Sequence, residues 1–308
     1  MGKRVLVTGG TGFIGSHLVE WLLKKNYEVF CLVRNPARLR WLKGLPVYLI
    51  IGDCQAKDLR LPQVEVVYHV AGVVKAKRPS LFYNVNYKGT VNLAQAVLKQ
   101  KLPLKYFIFI STLAVCADSL SHYAHSKLLA EKELLKLPLP LIIFRPTAIY
   151  GPRDKEFLSF CRLIKYGLAP ILNPEGILSF CYIDDLIEIL GAVLEKEIPS
   201  KKIFAVSDGK AYSWEEALKI VASALQKKPI YFKIPKKLTY ILALIFEKFN
   251  IFIKEPIIFN QDKLKEIFHK NWFCDISEIQ KLLGYTPKYD LFSGMVKTIN
   301  WYQRQGWI

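Results

Sequence analysis

The chain has 308 residues, of which 52% are hydrophobic, and a formal net charge of +18. This length and apolar content suit one large α/β domain or two smaller ones, and they exclude a disordered chain. The positive charge favours nucleotides or an acidic membrane surface as partners, or it serves only solubility. The lysines are spread along the sequence without a basic block, so a specific nucleic-acid site is not expected.

The cysteines and the apolar runs indicate the cellular compartment in which we expect the protein. The six cysteines are scattered and form no C-x-x-C pair, which favours reduced thiols over disulfides or a metal site. The longest apolar run, Tyr240–Phe246, is too short to span a bilayer. The first strand begins almost at the N-terminus, so we expect no signal peptide and a cytoplasmic protein.

The first half of the chain alternates between apolar strands and amphipathic helices. This alternation predicts a doubly wound parallel sheet with helices on both faces. The predicted strands are Arg4–Thr8, Glu28–Val33, Val47–Ile51, Val64–Val70, Tyr106–Ser111 and Leu139–Phe144. The predicted helices are Ile14–Lys25, Ser80–Leu98 and Ser121–Leu135.

After Gly151 helical patterns dominate. We expect a cofactor-binding domain over residues 1–152, with returns of the chain near 178–208, and a smaller, mainly helical substrate lobe over 153–308. The predicted helices are Phe157–Tyr166, Asp185–Glu195, Trp214–Gln226, Lys237–Phe249, Gln261–Phe268, Ile276–Leu283 and Phe292–Arg304, and the predicted short strands are Ser179–Ile183 and Ile203–Val206.

The segment VLVTGGTGFIGSHL (5–18) places glycines 9, 12 and 15 between a strand and a helix. The first glycine suits a tight turn, the second leaves room for a phosphate, and the third lets the helix pack closely on the sheet. A helix N-terminus favours a pyrophosphate, so this turn predicts a dinucleotide site. The expected contacts are Gly9, Thr11, Gly12, Phe13, Ile14 and Gly15.

The end of the second strand indicates which dinucleotide is bound. Many NAD-binding folds place an acid there, whereas this chain has Arg34, followed by Arg38. Arginine suits the 2′-phosphate, so we predict NADP in preference to NAD. Asp53 is a candidate acceptor for the adenine amino group or else a turn residue, and Cys54 beside it is a further candidate contact.

An ordered set of motifs over nearly the whole chain resembles one family, the extended short-chain dehydrogenases/reductases, or NAD(P)-dependent epimerase/dehydratase superfamily. The set also includes a matching C-terminal end, Asn271–Tyr302. The resemblance implies a Rossmann fold and an NAD(P)-dependent enzyme. The motifs are TGGTGFIG (8–15), YHVAG (68–72), NYKGTVNL (86–93), ISTLAV (110–115), YAHSK (123–127), FRPTAIYGP (144–152) and YIDDL (182–186).

The resemblance assigns catalytic roles to three residues. Tyr123 matches the family's acid/base tyrosine, and Lys127 matches the lysine one helical turn later. A neighbouring ammonium stabilises the phenolate, so the tyrosine is able to exchange a proton at neutral pH. Thr112 is the expected substrate-orienting hydroxyl, with Ser111 the alternative beside the cofactor.

Other positions match the family's cofactor contacts. The resemblance implies that Lys127 and Tyr123 also touch the nicotinamide riboside, and that Asn86 steadies this region. Ala71 and Gly72 match the family's small residues under the nicotinamide. Pro146 and Thr147 match the segment that contacts the carboxamide. No metal ligands are expected.

Departures from the family pattern narrow the reaction. Leu113 and Ala114 stand where family dehydratases carry an acid pair, and only ten residues separate Thr112 from Tyr123. From Gly151 onward the chain has just three arginines, although sugar-nucleotide enzymes clamp a diphosphate with arginines. We therefore predict an oxidoreductase acting between a secondary alcohol and a ketone of a small apolar molecule. One alternative is a nucleotide-sugar 4-epimerase that uses the same three residues. The other is a non-catalytic sensor or scaffold, and the intact Thr–Tyr–Lys set disfavours this second alternative.

The stretch Ile234–Lys254 has an apolar helical face and resembles the hydrophobic segment of the 3β-hydroxysteroid dehydrogenase/dihydroflavonol reductase-like branch. Three interpretations stay open: membrane contact, the roof of an apolar substrate pocket, or a core helix. The face comprises Leu238, Ile241, Leu242, Ile245 and Phe249. The resemblance also implies a homodimer through the helices near Ser80–Leu98 and Ser121–Leu135.

Overall fold

A seven-stranded sheet forms the centre of the fold in this computed structural model, which describes residues 3–249 and 260–308. The strand order is β11-β6-β5-β4-β1-β2-β3, and β1 to β6 run parallel. The predicted doubly wound fold is therefore confirmed. The strands are β1 (Arg4–Thr8), β2 (Glu28–Val33), β3 (Tyr48–Ile51), β4 (Val66–His69), β5 (Tyr106–Ile110), β6 (Leu141–Pro146) and β11 (Lys202–Val206).

The strands in the middle of the sheet are more buried than the edge strand β3. Every residue of β4 and β5 is buried, whereas the edge strand β3 exposes Tyr48 and Ile51. Continuous apolar strands of this kind need cover on both faces, and helices supply it. The helices between the strands are α1 (Phe13–Lys24), α2 (Pro79–Phe82), α3 (Gly89–Lys99) and α4 (His122–Lys136), with a π-helical turn at Tyr83–Lys88 joining α2 to α3.

The chain divides into two compact units. The first comprises the chain through Val115 together with His122–Arg145 and Ile187–Phe204, and the second comprises Cys116–Ser121, Pro146–Leu186 and the chain from Ala205. In the first unit, one side of the sheet packs in a core that includes Leu93 of α3 and Ala130 and Leu134 of α4.

The later part of the chain has short paired strands between helices. These strands are β7 (Ala148–Tyr150), β8 (Leu168–Ile171), β9 (Ile177–Leu178), β10 (Phe180–Tyr182), β12 (Tyr212–Ser213) and β13 (Ile230–Lys233), which pair as β7–β10, β9–β12 and β8–β13. The helices are α5 (Glu156–Lys165), α6 (Ile183–Ala192), α7 (Trp214–Ala224), α8 (Lys236–Phe249), α9 (Gln261–Ile267), α10 (Ser277–Leu283) and α11 (Leu291–Arg304). Within the described ranges, no helix has both the length and the apolar character needed to cross a bilayer.

The structure corrects the expectation of a core helix near residue 240. Thr239 and Ala243 of α8 are fully buried, whereas Leu238, Ile241 and Ile245 of the predicted apolar face are exposed. Of the three interpretations left open, the core helix therefore does not hold for Leu238, Ile241 and Ile245, whereas Leu242 of the same face is half-buried. Of the stretch Ile234–Lys254, residues 250–254 and the side chain of Phe249 lie outside the described part of the structure.

Candidate active site

The glycine turn lies at the point where the strand order reverses. β1 has β2 on one side and β4 on the other, so the loops after β1 and β4 open the crevice in which doubly wound folds bind nucleotides. Gly9 has φ of +73°, and its backbone lies so close to β4's loop that a Cβ would stand 2.7 Å from Ala71 N. The turn closes with a hydrogen bond of 2.9 Å from Gly12 N to Gly9 O. A side chain at position 9 is therefore excluded by conformation and by space.

Gly15 is required for a different reason from the one predicted. A Cβ there would lie 2.7 Å from Gly9 C and 2.9 Å from Gly10 Cα, so its close neighbour is the turn itself rather than the sheet. A Cβ on Gly12 would lie 3.2 Å from Gly9 O, on the inner side of the turn. The outer side of the turn is open. The first turn of α1 has no acidic residue and no side-chain cap, and such an N-terminus suits an anion. Thr11, Phe13 and Ile14 lie between these glycines.

The residues predicted to read the adenosine half follow β2 and β3. Arg34 and Arg38 are both exposed, and Asn35 between them caps the short turn Pro36–Arg38 by accepting from Ala37 N at 2.9 Å. Asp53 Oδ1 accepts a hydrogen bond of 2.9 Å from Gln55 N, so its carboxylate stabilises a turn of the backbone after β3. Burial raises the pKa of the Cys54 thiol to about 12, and the Arg34 guanidinium opposes that rise. β2 and β3 are neighbours in the sheet, so Arg34 and Cys54 follow adjoining strand ends.

A buried chain of hydrogen bonds runs beneath the two loops, through residues that sequence reasoning did not assign to the site. Ala71 N donates to Thr8 Oγ1 at 3.1 Å, and Thr8 Oγ1 lies 2.7 Å from His69 Nδ1. His69 Nε2 lies 2.8 Å from Thr90 Oγ1, which donates to Asn86 O at 2.6 Å. Each hydroxyl has one proton, so the chain is consistent when His69 accepts from Thr8 and donates from Nε2 to Thr90.

His69 is accordingly a neutral structural residue. Burial, with a smaller contribution from the Lys127 ammonium, lowers the pKa of His69 to about 3. The imidazole stays uncharged at neutral pH and links β1 and β4 to the turn before α3.

Asn86 lies in the π-helical turn and holds the loop after β4. Its Oδ1 accepts from Val73 N at 2.8 Å, and its Nδ2 donates to Val73 O at 3.0 Å and to Ser126 Oγ at 3.1 Å. Ser126 Oγ in turn donates to Tyr123 O at 2.7 Å. A Cβ on Gly72 would lie 3.2 Å from Asn86 Oδ1 and 3.6 Å from Lys127 Nζ, so Gly72, Asn86 and α4 meet closely.

Lys127 is buried, with 3% of its surface exposed. Its Nζ donates to Ile110 O at 2.6 Å and lies 4.4 Å from the centroid of the Phe109 ring. Burial lowers the pKa of Lys127 to about 7, and the carboxylate of Glu131 opposes that shift. A lysine with so low a pKa, beside the switch point of the sheet, is the kind of group that proton chemistry uses.

Glu131 lies one helical turn beyond Lys127 and is itself buried, with 1% exposed. Its two carboxylate oxygens accept from Arg145 Nε at 3.0 and 3.2 Å, and Arg145 Nη2 adds a further short bond. Arg145 lies on β6, so this ion pair joins α4 to the sheet. The sequence analysis missed the pair; an acid four residues after Lys127 on one helix face was the available signal.

The remaining predicted catalytic groups lie at the end of β5 and the start of α4. Ser111 Oγ is buried and has no hydrogen-bond partner among the described residues, whereas Thr112 Oγ1 accepts from Ala114 N at 3.2 Å. Tyr123 is half-buried near the N-terminus of α4, and its ring meets Phe82 edge-on at 6.2 Å. An orphaned buried hydroxyl beside Lys127 is consistent with a bound group that supplies its partner.

Two predicted cofactor contacts belong to the second unit. Pro146 ends β6, and the next residue, Thr147, donates from N and from Oγ1 to Val206 O at 2.9 and 3.2 Å. The first unit therefore brings together the glycine turn, Ala71, Gly72, Asn86, Ser111 and Lys127, and it places Arg34, Asp53 and Cys54 at the adjoining strand ends.

Comparison with known proteins identifies the family of the chain and agrees with its fold. A model of the NAD dependent epimerase/dehydratase family matches residues 5–207. A ceramide reductase of Caulobacter vibrioides is 29% identical over 311 residues, which cover 99% of this chain and 96% of that protein. A UDP-glucose 4-epimerase of Vibrio cholerae is 29% identical over 333 residues, which cover 97% of this chain and 95% of that protein. Among solved structures, the Bordetella bronchiseptica enzyme WbmG in complex with NAD has a TM-score of 0.77 at 20% identity and covers 100% of this chain and 96% of its own, a likeness of fold.

Proposed function

The chain belongs to the NAD dependent epimerase/dehydratase family, and from this premise we propose that it is an NADP(H)-dependent oxidoreductase interconverting a secondary alcohol and a ketone on a small apolar substrate. The observation that carries the proposal is Lys127, a buried lysine with a lowered pKa one helical turn after Tyr123. A merely structural lysine gains nothing from such burial, because the charge costs free energy there.

The cofactor fits the cradle that the first unit offers. The turn at Gly9–Gly15 and the uncapped N-terminus of α1 suit its pyrophosphate, and Ala71 and Gly72, which have little or no side chain, are the proposed contacts under the nicotinamide ring. When bound, NADP supplies the hydride acceptor and NADPH the hydride donor. Thr147 and Pro146 are the proposed contacts to the carboxamide.

The protein's own side chains handle the proton. Tyr123 takes the proton of the substrate hydroxyl during oxidation and donates it to the carbonyl oxygen during reduction. The Lys127 ammonium favours the phenolate form of Tyr123 by electrostatic attraction. Thr112 orients the substrate oxygen with its hydroxyl, and Ser111 lies beside it with an uncommitted Oγ.

Arg34 and Arg38 support NADP as the cofactor. Both are exposed at the end of β2, and β2 is followed by no acid that would hold an unphosphorylated ribose. A guanidinium pairs bidentately with a phosphate, and this pairing favours the 2′-phosphorylated dinucleotide.

The arginines of the second unit support an apolar substrate over a sugar nucleotide. Of the three after Gly151, Arg162 already donates from Nε and Nη2 to Trp307 O at 3.1 and 2.8 Å, and Arg304 lies in the last turn of α11. Three arginines, one of them already bonded to a backbone carbonyl, are few for a diphosphate clamp. The ceramide reductase among the relatives carries a lipid in its name, which agrees with this choice.

The epimerase among the relatives is equally similar, so a nucleotide-sugar 4-epimerase is the second candidate. It would keep its cofactor through a full cycle, whereas a reductase exchanges it. The homodimer through α3 and α4 and the cytoplasmic location stay predictions.

The test is turnover by the purified protein with NADPH and a panel of long-chain ketones, 3-oxosteroids, 3-oxoceramides and UDP-hexoses. We expect NADPH to be consumed with an apolar ketone, and Tyr123→Phe to lower kcat by about 100-fold or more with NADPH binding retained. Tyr48→Phe, on the exposed edge strand β3, is the matched control and keeps wild-type turnover.

Two outcomes would contradict the proposal. One is interconversion of UDP-hexoses by protein that retains its cofactor, with no net consumption of NADPH. The other is a Tyr123→Phe variant that matches the wild type on every substrate that is turned over.

A further inference from the structure

The strand and helix after residue 229 expose large apolar side chains. On β13, Ile230 is 70% exposed and Phe232 38% exposed. β13 leads through Pro235 into α8, where four more aliphatic side chains lie exposed: Leu238, Ile241, Leu244 and Ile245.

The partner strand continues this apolar character. β8 pairs with β13 in parallel, and the register sets Leu168 opposite Ile230. Leu168 is exposed, as is Tyr166 just before the strand. Two apolar side chains exposed side by side on a ribbon are more than single scattered exceptions.

The fully buried positions of α8 that the structure describes carry small residues rather than large apolar ones. These residues are Thr239 and Ala243, and Thr239 Oγ1 donates to Pro235 O at 3.2 Å. Leu238, Ile241, Leu244 and Ile245 are exposed instead, whereas Leu242 is half-buried. Packing against residues 3–249 and 260–308 therefore does not account for these four exposed side chains, although burial of Leu or Ile is what normally stabilises such a helix.

Lysines accompany these apolar residues, and acids are missing. From Ala217 to Phe246 the sequence contains no Asp or Glu. Five exposed lysines fall within β13, α8 and the turn before them: Lys227, Lys228, Lys233, Lys236 and Lys237. We call these lysines and the eight exposed apolar residues above the basic apolar surface.

We infer that the basic apolar surface docks the protein on an anionic lipid bilayer. Aliphatic and aromatic side chains enter the headgroup region of a bilayer, and lysines around them pair with lipid phosphates. A second copy seated on this surface fits poorly, because a symmetric contact would set these lysines against the same lysines, with no Asp or Glu between residues 217 and 246 to pair with them. Nucleic acid fits poorly as well, because exposed leucine and isoleucine gain nothing on a sugar-phosphate surface. The inference concerns the location of the protein and goes beyond its reaction.

The experiment is flotation of the full-length protein with lipid vesicles. We expect binding to phosphatidylcholine vesicles containing about 30% phosphatidylglycerol, weak binding to phosphatidylcholine alone, and loss of binding in about 0.5 M salt. No cofactor or substrate is present, so the result is independent of the reaction assignment.

Two variants with matched controls locate the contact. Ile241→Ser/Ile245→Ser should weaken binding to anionic vesicles by about tenfold or more, whereas Phe273→Ser/Phe292→Ser, with similar exposure elsewhere in the unit, should not. Lys228→Gln/Lys233→Gln/Lys237→Gln should weaken it by about tenfold or more, whereas Lys132→Gln/Lys270→Gln/Lys281→Gln removes the same charge with little effect. All of these side chains are exposed, so the fold should be kept.

The inference is overturned if the wild type does not float with anionic vesicles, or binds neutral ones equally well. It is also overturned if the control variants lose binding as far as the test variants do. If the test variants differed from the wild type in molecular mass in solution but floated as well as it does, the surface would be assigned to self-association instead.

Discussion

Lys127 is the residue on which the proposed chemistry depends, and its charge is set by two opposing effects. Burial lowers its pKa to about 7, and Glu131 raises it. Glu131 keeps its own place through the ion pair with Arg145. Since the ammonium form is lost as the pH rises through the lysine's pKa, Glu131 extends the pH range over which Lys127 stays charged.

Glu131→Gln should therefore move the alkaline limb of the kcat/KM profile to lower pH. Removing the carboxylate leaves burial unopposed, so the pKa of Lys127 falls further and the charged form is lost earlier. At pH 8 we expect about a tenfold loss of kcat/KM, and less at pH 6. The measurement is the pH dependence of kcat/KM for the ketone identified in the substrate panel.

Glu133→Gln is the matched control for this prediction. Glu133 lies on the same helix, but it pairs with the exposed Lys136 at 2.8 Å, so its loss should leave the profile in place. A merely structural role of Glu131 would lower kcat/KM equally at every pH, and that result would refute the tuning of Lys127.

Some of the site was predictable at the level of residues and some was not. The glycine turn was accessible because its spacing is local in sequence. Tyr123 and Lys127 were assigned through the resemblance of YAHSK (123–127) to a family motif, and their catalytic roles stay predictions. The chain through Thr8, His69 and Thr90 was not, because its members lie 61 and 21 residues apart and their hydrogen bonds exist only once β1, β4 and α3 are in place. Nor does spacing reveal that Gly15 is required by the backbone of Gly9.

At the scale of elements, periodicity located the long helices and the central strands. The short strands β7, β8, β9, β12 and β13 were missed, since two to four residues carry too little alternation to be read. The apolar stripe of α8 was recognised, but a sequence pattern does not say whether the apolar side of a helix faces the protein interior. In α8 the fully buried residues are Thr239 and Ala243 instead.

α6 contains a glycine for a packing reason. Gly191 lies against the ring of Trp21, and a Cβ there would stand 2.9 Å from Trp21 Cζ3 and closer still to two other ring atoms. The ring is also held by a bond of 3.1 Å from Trp21 Nε1 to Glu188 Oε1, so it has little room to move. The absence of a side chain at position 191 lets α6 approach α1.

Gly191→Ala should lower the free energy of unfolding by about 1–3 kcal/mol, because the added methyl overpacks this contact. Chemical denaturation measures it. Gly89→Ala is the control: the nearest atom to its Cβ is at 3.5 Å, so helix propensity should make that variant neutral or more stable by about 0.5–1 kcal/mol. Equal stability of Gly191→Ala and wild type would show that the ring of Trp21 yields.

At the scale of the whole molecule, contacts distant in sequence complete the first unit. Tyr68 OH donates to Leu190 O at 2.8 Å, and Tyr106 OH donates to Lys196 O at 2.8 Å. Strand β11 then extends the sheet beside β6. The sequence indicates that the chain returns near residues 178–208, but tyrosine hydroxyls that bond backbone carbonyls have no sequence signature, so the partners of the returning segment emerge only from the fold.

The central claim is that the crevice between the β1 and β4 loops holds NADP, with Arg34 selecting the phosphorylated form. Fluorescence titration of the purified protein with NADPH and with NADH tests it most directly. The account predicts that NADPH binds about tenfold or more tightly than NADH, and that Arg34→Gln removes most of this preference. Tighter binding of NADH, or binding of neither dinucleotide, would contradict it.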